Sequence, residues 1–65
     1  MYGIKIDKRK KATFNDVIRK CIEENKIWCD ENEGDYVDKK FAKKFDTYED
    51  ADYAITEKWE MVSKL

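Results

Sequence analysis

The chain has no histidine and only two cysteines, Cys21 and Cys29. Catalysis would therefore fall to carboxylates, a thiol or lysines, and a zinc site would lack its usual imidazole companions. Cys21 lies in the middle of an apolar helical stripe and reads as an inert buried thiol. A Cys21–Cys29 disulfide does not suit a reducing compartment. The carboxylates are concentrated in helix starts and one turn, where solvated structural roles are the ordinary ones. The stretch DENEGD, residues 30–35, begins like a calcium loop with Asp30, Asn32 and Gly34. The glycine comes one position too early, Asp35 takes its place, and Phe41 stands where the bidentate glutamate belongs. That stretch reads as a solvated turn. No catalytic residue, metal or cofactor is expected.

Binding chemistry has more to stand on. In KKFAKKFDTYEDADYAI, residues 39–55, Lys39, Lys40, Lys43 and Lys44 surround Phe41 and Phe45, and then the sign flips to Asp46, Glu49, Asp50 and Asp52. A second basic block is Lys8, Arg9, Lys10 and Lys11. Net charge alternates by segment: +4 over residues 1–12, −5 over 13–38, +4 over 39–45 and −4 over 46–65. If the first strand pairs near the second block, the two blocks could form one patch that holds a nucleic-acid backbone. The same lysines also suit a merely solubilising surface, since the chain as a whole carries −1. The acids after Phe45 suit a helix's first turn, where free N–H groups and the macrodipole favour negative charge. Tyr53 falls on the outer face of that helix between Glu49 and Glu57, four residues to either side. It is either a contact for a protein partner or a stray exposed ring.

These side chains need elements to position them. At 65 residues the chain is one domain, residues 1–65, with one small core. Tyr2, Ile4 and Ile6 alternate with Gly3 and Lys5, which predicts a strand. Residues 13–25 predict a helix, with Thr13 as N-cap and Asp16 three residues on. Phe14, Val17, Ile18, Cys21 and Ile22 form its apolar face, and Asn25 and Lys26 end it. Residues 26–29 and 36–40 flank the acidic turn as a hairpin. Trp28 and Cys29 would also fall on the helix's apolar face if it ran on, and both readings stay open. A second helix, capped by Asp46 or Thr47, is predicted over 46–58, with Tyr48, Ala51, Ala54 and Ile55 inward. After it, Trp59, Met61 and Leu65 alternate with Glu60 and Lys64. Residues 59–65 are thus a terminal strand, or a continued helix with Lys58 snorkelling. The expected class is α+β: a small antiparallel sheet with two helices on one face, in the order βαββα, extended by a C-terminal strand if residues 59–65 take the strand reading. This is the split βαβ, ferredoxin-like plan in compact form.

The segment AKKFDTYEDADYAITEKWEMV, residues 42–62, resembles small uncharacterised phage and prophage proteins. In these an A-K-x-F-x-[ST]-x-E-x-A segment leads into a helix, often followed by a terminal strand near a tryptophan. Ala42, Lys43, Phe45, Thr47, Glu49, Ala51 and Trp59 carry the match, over about a third of the chain. The resemblance implies an accessory role in a mobile element and assigns no catalytic residue. No apolar run has the length of a membrane helix or a signal peptide, so a cytoplasmic protein is expected. The function expected from all this is protein–protein binding, with Glu49, Tyr53 and Glu57 as contacts. Modulation of a host enzyme or defence system would fit that role. The alternative is a nucleic-acid-binding module that uses the two lysine-rich blocks.

Overall fold

Alternation along the first strand decides the two faces of the sheet. A computed structural model of the chain describes residues 1–32 and 34–65. In β1 (Tyr2–Ile6), Tyr2, Ile4 and Ile6 share one side, and Gly3 and Lys5 the other. β1 is flanked by β2 (Trp28–Cys29) and β4 (Glu60–Lys64), while β3 (Tyr36–Val37) lies beyond β2. All pairings are antiparallel, in the order β3-β2-β1-β4. β4 pairs with the whole of β1, from Tyr2 opposite Lys64 to Ile6 opposite Glu60. Both open alternatives therefore resolve to strands, at Trp28–Cys29 and at Glu60–Lys64.

The first helix, α1 (Asp16–Glu23), starts two residues later than the sequence suggests. Asn15, not Thr13, is its cap, and the Asn15 Oδ1 accepts the Ile18 N–H at 2.9 Å. Thr13 instead belongs to a 3₁₀ turn, Lys11–Thr13, where its hydroxyl donates to the Lys10 carbonyl at 2.7 Å. The far end is closed as expected. Asn25 takes a left-handed φ of 58°, its N–H donates to Ile22 and the Lys26 N–H to Cys21. This is the Schellman arrangement, and asparagine tolerates the left-handed position better than most residues.

The second helix, α2 (Tyr48–Tyr53), has the expected cap: Thr47 Oγ1 accepts the Asp50 N–H at 3.1 Å, with Glu49 and Asp50 in the first turn. It ends at Tyr53, well short of residue 58. The reason lies downstream, where the N–H groups of Thr56 and Glu57 both donate to the Glu60 Oε1 at 3.2 Å. That carboxylate gathers the loop and breaks the helical ladder.

Both helices cover the Ile4/Ile6 side. Ile18 of α1 joins Ile6 and Ile27, and Ala51 of α2 joins Ile4, Cys29 and Val62. Each buried isoleucine contributes about 1.5–3 kcal/mol by leaving water. Trp28 lies on the opposite face, in register with Lys5. Its ring lies so close over Gly3 that a Cβ there would come within 3.0 Å of it. The ammonium groups of Lys5 and Lys39 sit 5.5 and 5.9 Å from the Trp28 ring centroid and help to leave it only 7% exposed.

The α+β class, the antiparallel sheet, the two helices on one face and the order of elements agree with expectation. One connection departs from a split βαβ plan, in which another strand separates the two that the helix joins. Here β1 and β2 are antiparallel neighbours, and the Ile6 N–H donates to Ile27 at 2.9 Å, along the edge such a strand would occupy. Among the described residues no helix is long and apolar enough to cross a membrane.

Candidate functional site

The second basic block is spread along the sheet: Lys39 shares the Trp28 ring with Lys5, while Lys43 and Lys44 lie away from the first block. Lys8, Arg9 and Lys10 follow the C-terminal end of β1, with Lys11 opening the 3₁₀ turn. Lys43 and Lys44 lead into Phe45, which exchanges backbone hydrogen bonds with Tyr2 at the opposite end of β1. A five-residue strand separates those ends by roughly 13 Å. Within the first block Arg9 is committed locally. Its guanidinium holds the buried Asp7 carboxylate through Nε at 3.0 Å and NH2 at 3.1 Å, and its N–H donates to the same group. These bonds hold the Asp7 carboxyl below the usual carboxylate range.

In the second block, Lys39 and Lys40 belong to a 3₁₀ turn, Lys39–Phe41. Lys40, Lys43 and Lys44 share a surface hollow with Asp30 and Glu31 of the acidic turn. Nearby carboxylates thus offset the field that a phosphate backbone would feel. Position 33 of that turn lies outside the described residues. The rings of the block are also covered by lysines, with Lys40 5.2 Å from the Phe41 ring and Lys43 5.2 Å from Phe45. Buried Trp28 presents no open face for base stacking.

On the acidic helix, Tyr53 is 93% exposed, as its outer-face position predicts. Because α2 ends there, Glu57 is not one helical turn below it. Glu57 sits in the loop gathered by Glu60, so Glu49, Tyr53 and Glu57 do not share a helical face. Tyr48, expected inward, is half-exposed and packs edge-on against Tyr2 with ring centroids 5.9 Å apart.

A cleft that the sequence did not point to lies between α1 and the hairpin. Val17 and Phe41 stand on its walls, 68% and 60% exposed. Cys21, Tyr36 and Val37 contribute to its lining, together with Lys26, Asp35 and Asp38, and it encloses about 480 Å³. The helical spacing places Val17 in the apolar stripe, and the structure leaves it exposed. A helix of only eight residues over a narrow sheet buries Ile18, half-buries Cys21 and Ile22, and leaves Val17 on the open flank. Cys21 is accordingly not the deeply buried thiol; Cys29 is. Desolvation, reinforced by the charge of Glu24, pushes the Cys21 thiol pKa up, so it stays protonated at neutral pH and is a poor nucleophile. The one available signal was Phe41, an aromatic residue set among lysines.

A buried polar seam runs beneath the helices. Glu60, 6% exposed, takes four donors. Thr56 and Glu57 N–H reach its Oε1, while the Tyr36 hydroxyl at 2.6 Å and the Cys29 thiol at 3.3 Å reach its Oε2. The Tyr36 oxygen in turn accepts the Trp59 Nε1–H at 2.7 Å. Burial, and then the Glu60 acceptor, push the Tyr36 pKa upward. Among the described residues every buried side-chain nitrogen and oxygen has a hydrogen-bond partner. The seam therefore joins β2, β3, β4 and the loop after α2, with both oxygens of its carboxylate occupied. No group of three or more His, Cys, Asp or Glu side chains among the described residues could hold a metal ion.

In comparison with known proteins, the chain matches no family model, no curated protein and no solved structure.

Proposed function

We propose that the protein is a small accessory protein of phage or prophage type that acts in the cytoplasm by binding a protein partner. Modulation of a host enzyme or defence system fits this role. The observation that carries the reading is the cleft between α1 and the hairpin, which exposed Val17 and exposed Phe41 both line and whose lining is partly apolar. Exposed apolar side chains that line one concave surface can receive an apolar anchor from a partner. Asp35 and Asp38 on the rim outnumber Lys26. The partner that fits is a protein segment that inserts an apolar side chain and places a basic residue beside it. The nucleic-acid alternative is less well supported, because Lys43 and Lys44 lie at the opposite end of β1 from residues 8–11 and, with Lys40, share a hollow with Asp30 and Glu31.

The test is a paired pull-down from host extract with the natural chain and a Val17→Ser/Phe41→Ser variant. Both residues are exposed, so the variant should fold with stability changed by no more than about 0.5 kcal/mol per site. A specific protein held by the natural chain and released by the variant is the expected result. Equal recovery by both refutes the cleft as the binding surface.

A further inference from the structure

We propose that a hollow beside the first basic block receives Tyr53 of a second copy of this chain, an acidic tyrosine knob in a basic socket. This goes beyond the cleft reading and does not depend on it. Val17 and Cys21 help to line the cleft, whereas Phe14, Arg19 and Ile22 help to line the socket.

The socket lies between α1 and the connection that follows β1. Phe14 and Ile22 line it, each half-buried and packed against the core of Ile6 and Ile18. Lys8, Lys11 and Arg19 line it too, all exposed, against a single acid, Glu23, and the space holds about 590 Å³. Arg19 reaches Asp16 at 3.0 Å, but both side chains are largely exposed. Such a pair contributes little and leaves most of the guanidinium donors for another carboxylate. Lys8 and Lys11 enter none of the ion pairs among the described residues. Over residues 8–20 there are six bases and one acid. Two apolar side chains set among three cations, whose stems are themselves apolar, suit an aromatic ring carried between carboxylates.

Such a group stands on the same chain. Tyr53 is 93% exposed, so it is not seated in its own molecule. Glu49 and Asp50, four and three residues before it in α2, flank it on the outer face, and Asp52 precedes it, all of them exposed. Residues 45–57 hold five acids and no base. The other acidic stretch, residues 30–35, offers no apolar side chain. Exposed Phe41 is set among lysines and would bring like charge to the socket, and Tyr48 is packed against Tyr2. Tyr53 alone combines an open ring with the complementary sign. Seating it would cover roughly 150–250 Å² of the ring. That is a small contact between exposed charges, so the association is weak and salt-sensitive. Knob and socket are different surfaces, and the contact is therefore heterologous.

The test is sedimentation of the full chain at concentrations up to about 1 mM. Association should be present at about 20 mM salt and should weaken about tenfold or more at about 0.5 M, where screening is short-ranged. Tyr53→Ser and Lys8→Gln/Lys11→Glu change only exposed residues, so both variants should melt like the natural chain. Each variant alone should lose about tenfold or more in self-association. Mixed, they should form a complex of two copies and no larger, because the first supplies an intact socket and the second an intact knob. General charge attraction would not produce that complementation. A natural chain that stays monomeric at low salt up to about 1 mM leaves the socket to an acidic partner of another kind and overturns the proposal. So does self-association that Tyr53→Ser leaves unchanged, and so does a mixture that forms no complex.

Discussion

Two thiols of unequal depth give the first prediction. Cys21 lies half-buried on the cleft, and Cys29 is buried with its thiol directed at Glu60. A maleimide should label Cys21 in the native protein, slowly because the raised pKa keeps the thiolate scarce, and should reach Cys29 only on unfolding. Peptide mapping after timed labelling checks the order. Tyr36 gives the second. Tyr36→Phe removes a donor to Glu60 and strands the Trp59 Nε1–H, so it should cost about 1–3 kcal/mol in denaturant unfolding. The pH dependence has a definite sign. The unfolded chain releases the tyrosine proton near pH ~10, and the folded chain, with a raised pKa, releases it later. Above that pH the folded state holds more protons, so the stability tied to this group is complete below it and falls as pH rises past it. Tyr36→Phe should flatten that alkaline loss, and unfolding curves collected from pH 7 upward would reveal it.

Elements were legible in the sequence wherever a local rule sufficed. Alternation at Tyr2, Ile4 and Ile6 predicts β1, Gly34 and the acidic cluster separate β2 from β3, and Thr47 with Asp50 marks the start of α2. Failures came where a distant group decided the outcome. The end of α2 is set by the Glu60 carboxylate, whose capture of the Thr56 and Glu57 N–H groups no helical period reveals. The first cap was misread because Thr13 and Asn15 both suit the role. Asn15 caps the helix by accepting the Ile18 N–H, while the Thr13 hydroxyl is used one turn earlier, donating to the Lys10 carbonyl. Asn15→Ala should therefore cost about 1 kcal/mol, and Thr13→Ala distinctly less, since the Thr13 bond closes an exposed turn. Thr47→Ala should also cost about 1 kcal/mol. Thermal melts of the three variants separate these expectations.

The whole molecule is a small core that leaves apolar side chains outside. At this size a narrow sheet cannot cover every face of two short helices. Val17 stays on the open flank of α1 for that reason, Phe41 stands on the 3₁₀ turn Lys39–Phe41, and their sharing of one cleft was invisible in a sequence where they stand 24 positions apart. The sign flip after Phe45 was legible as local structure, while the lysines before it proved to be spread over Trp28, Phe41, Phe45 and the acidic turn. The central claim is that the chain works by docking a protein in the cleft. Titration of the recovered partner against three proteins tests it most directly: the natural chain, Val17→Ser/Phe41→Ser, and the fourfold variant in which Lys39, Lys40, Lys43 and Lys44 become Gln. The cleft variant should lose affinity by a factor of about 30 or more, as for loss of an interface anchor. The lysine variant should retain affinity within a few-fold and show a salt dependence like that of the natural chain. Strong, salt-sensitive weakening by the lysine variant with the cleft variant unaffected would contradict the account and place function on the basic segments.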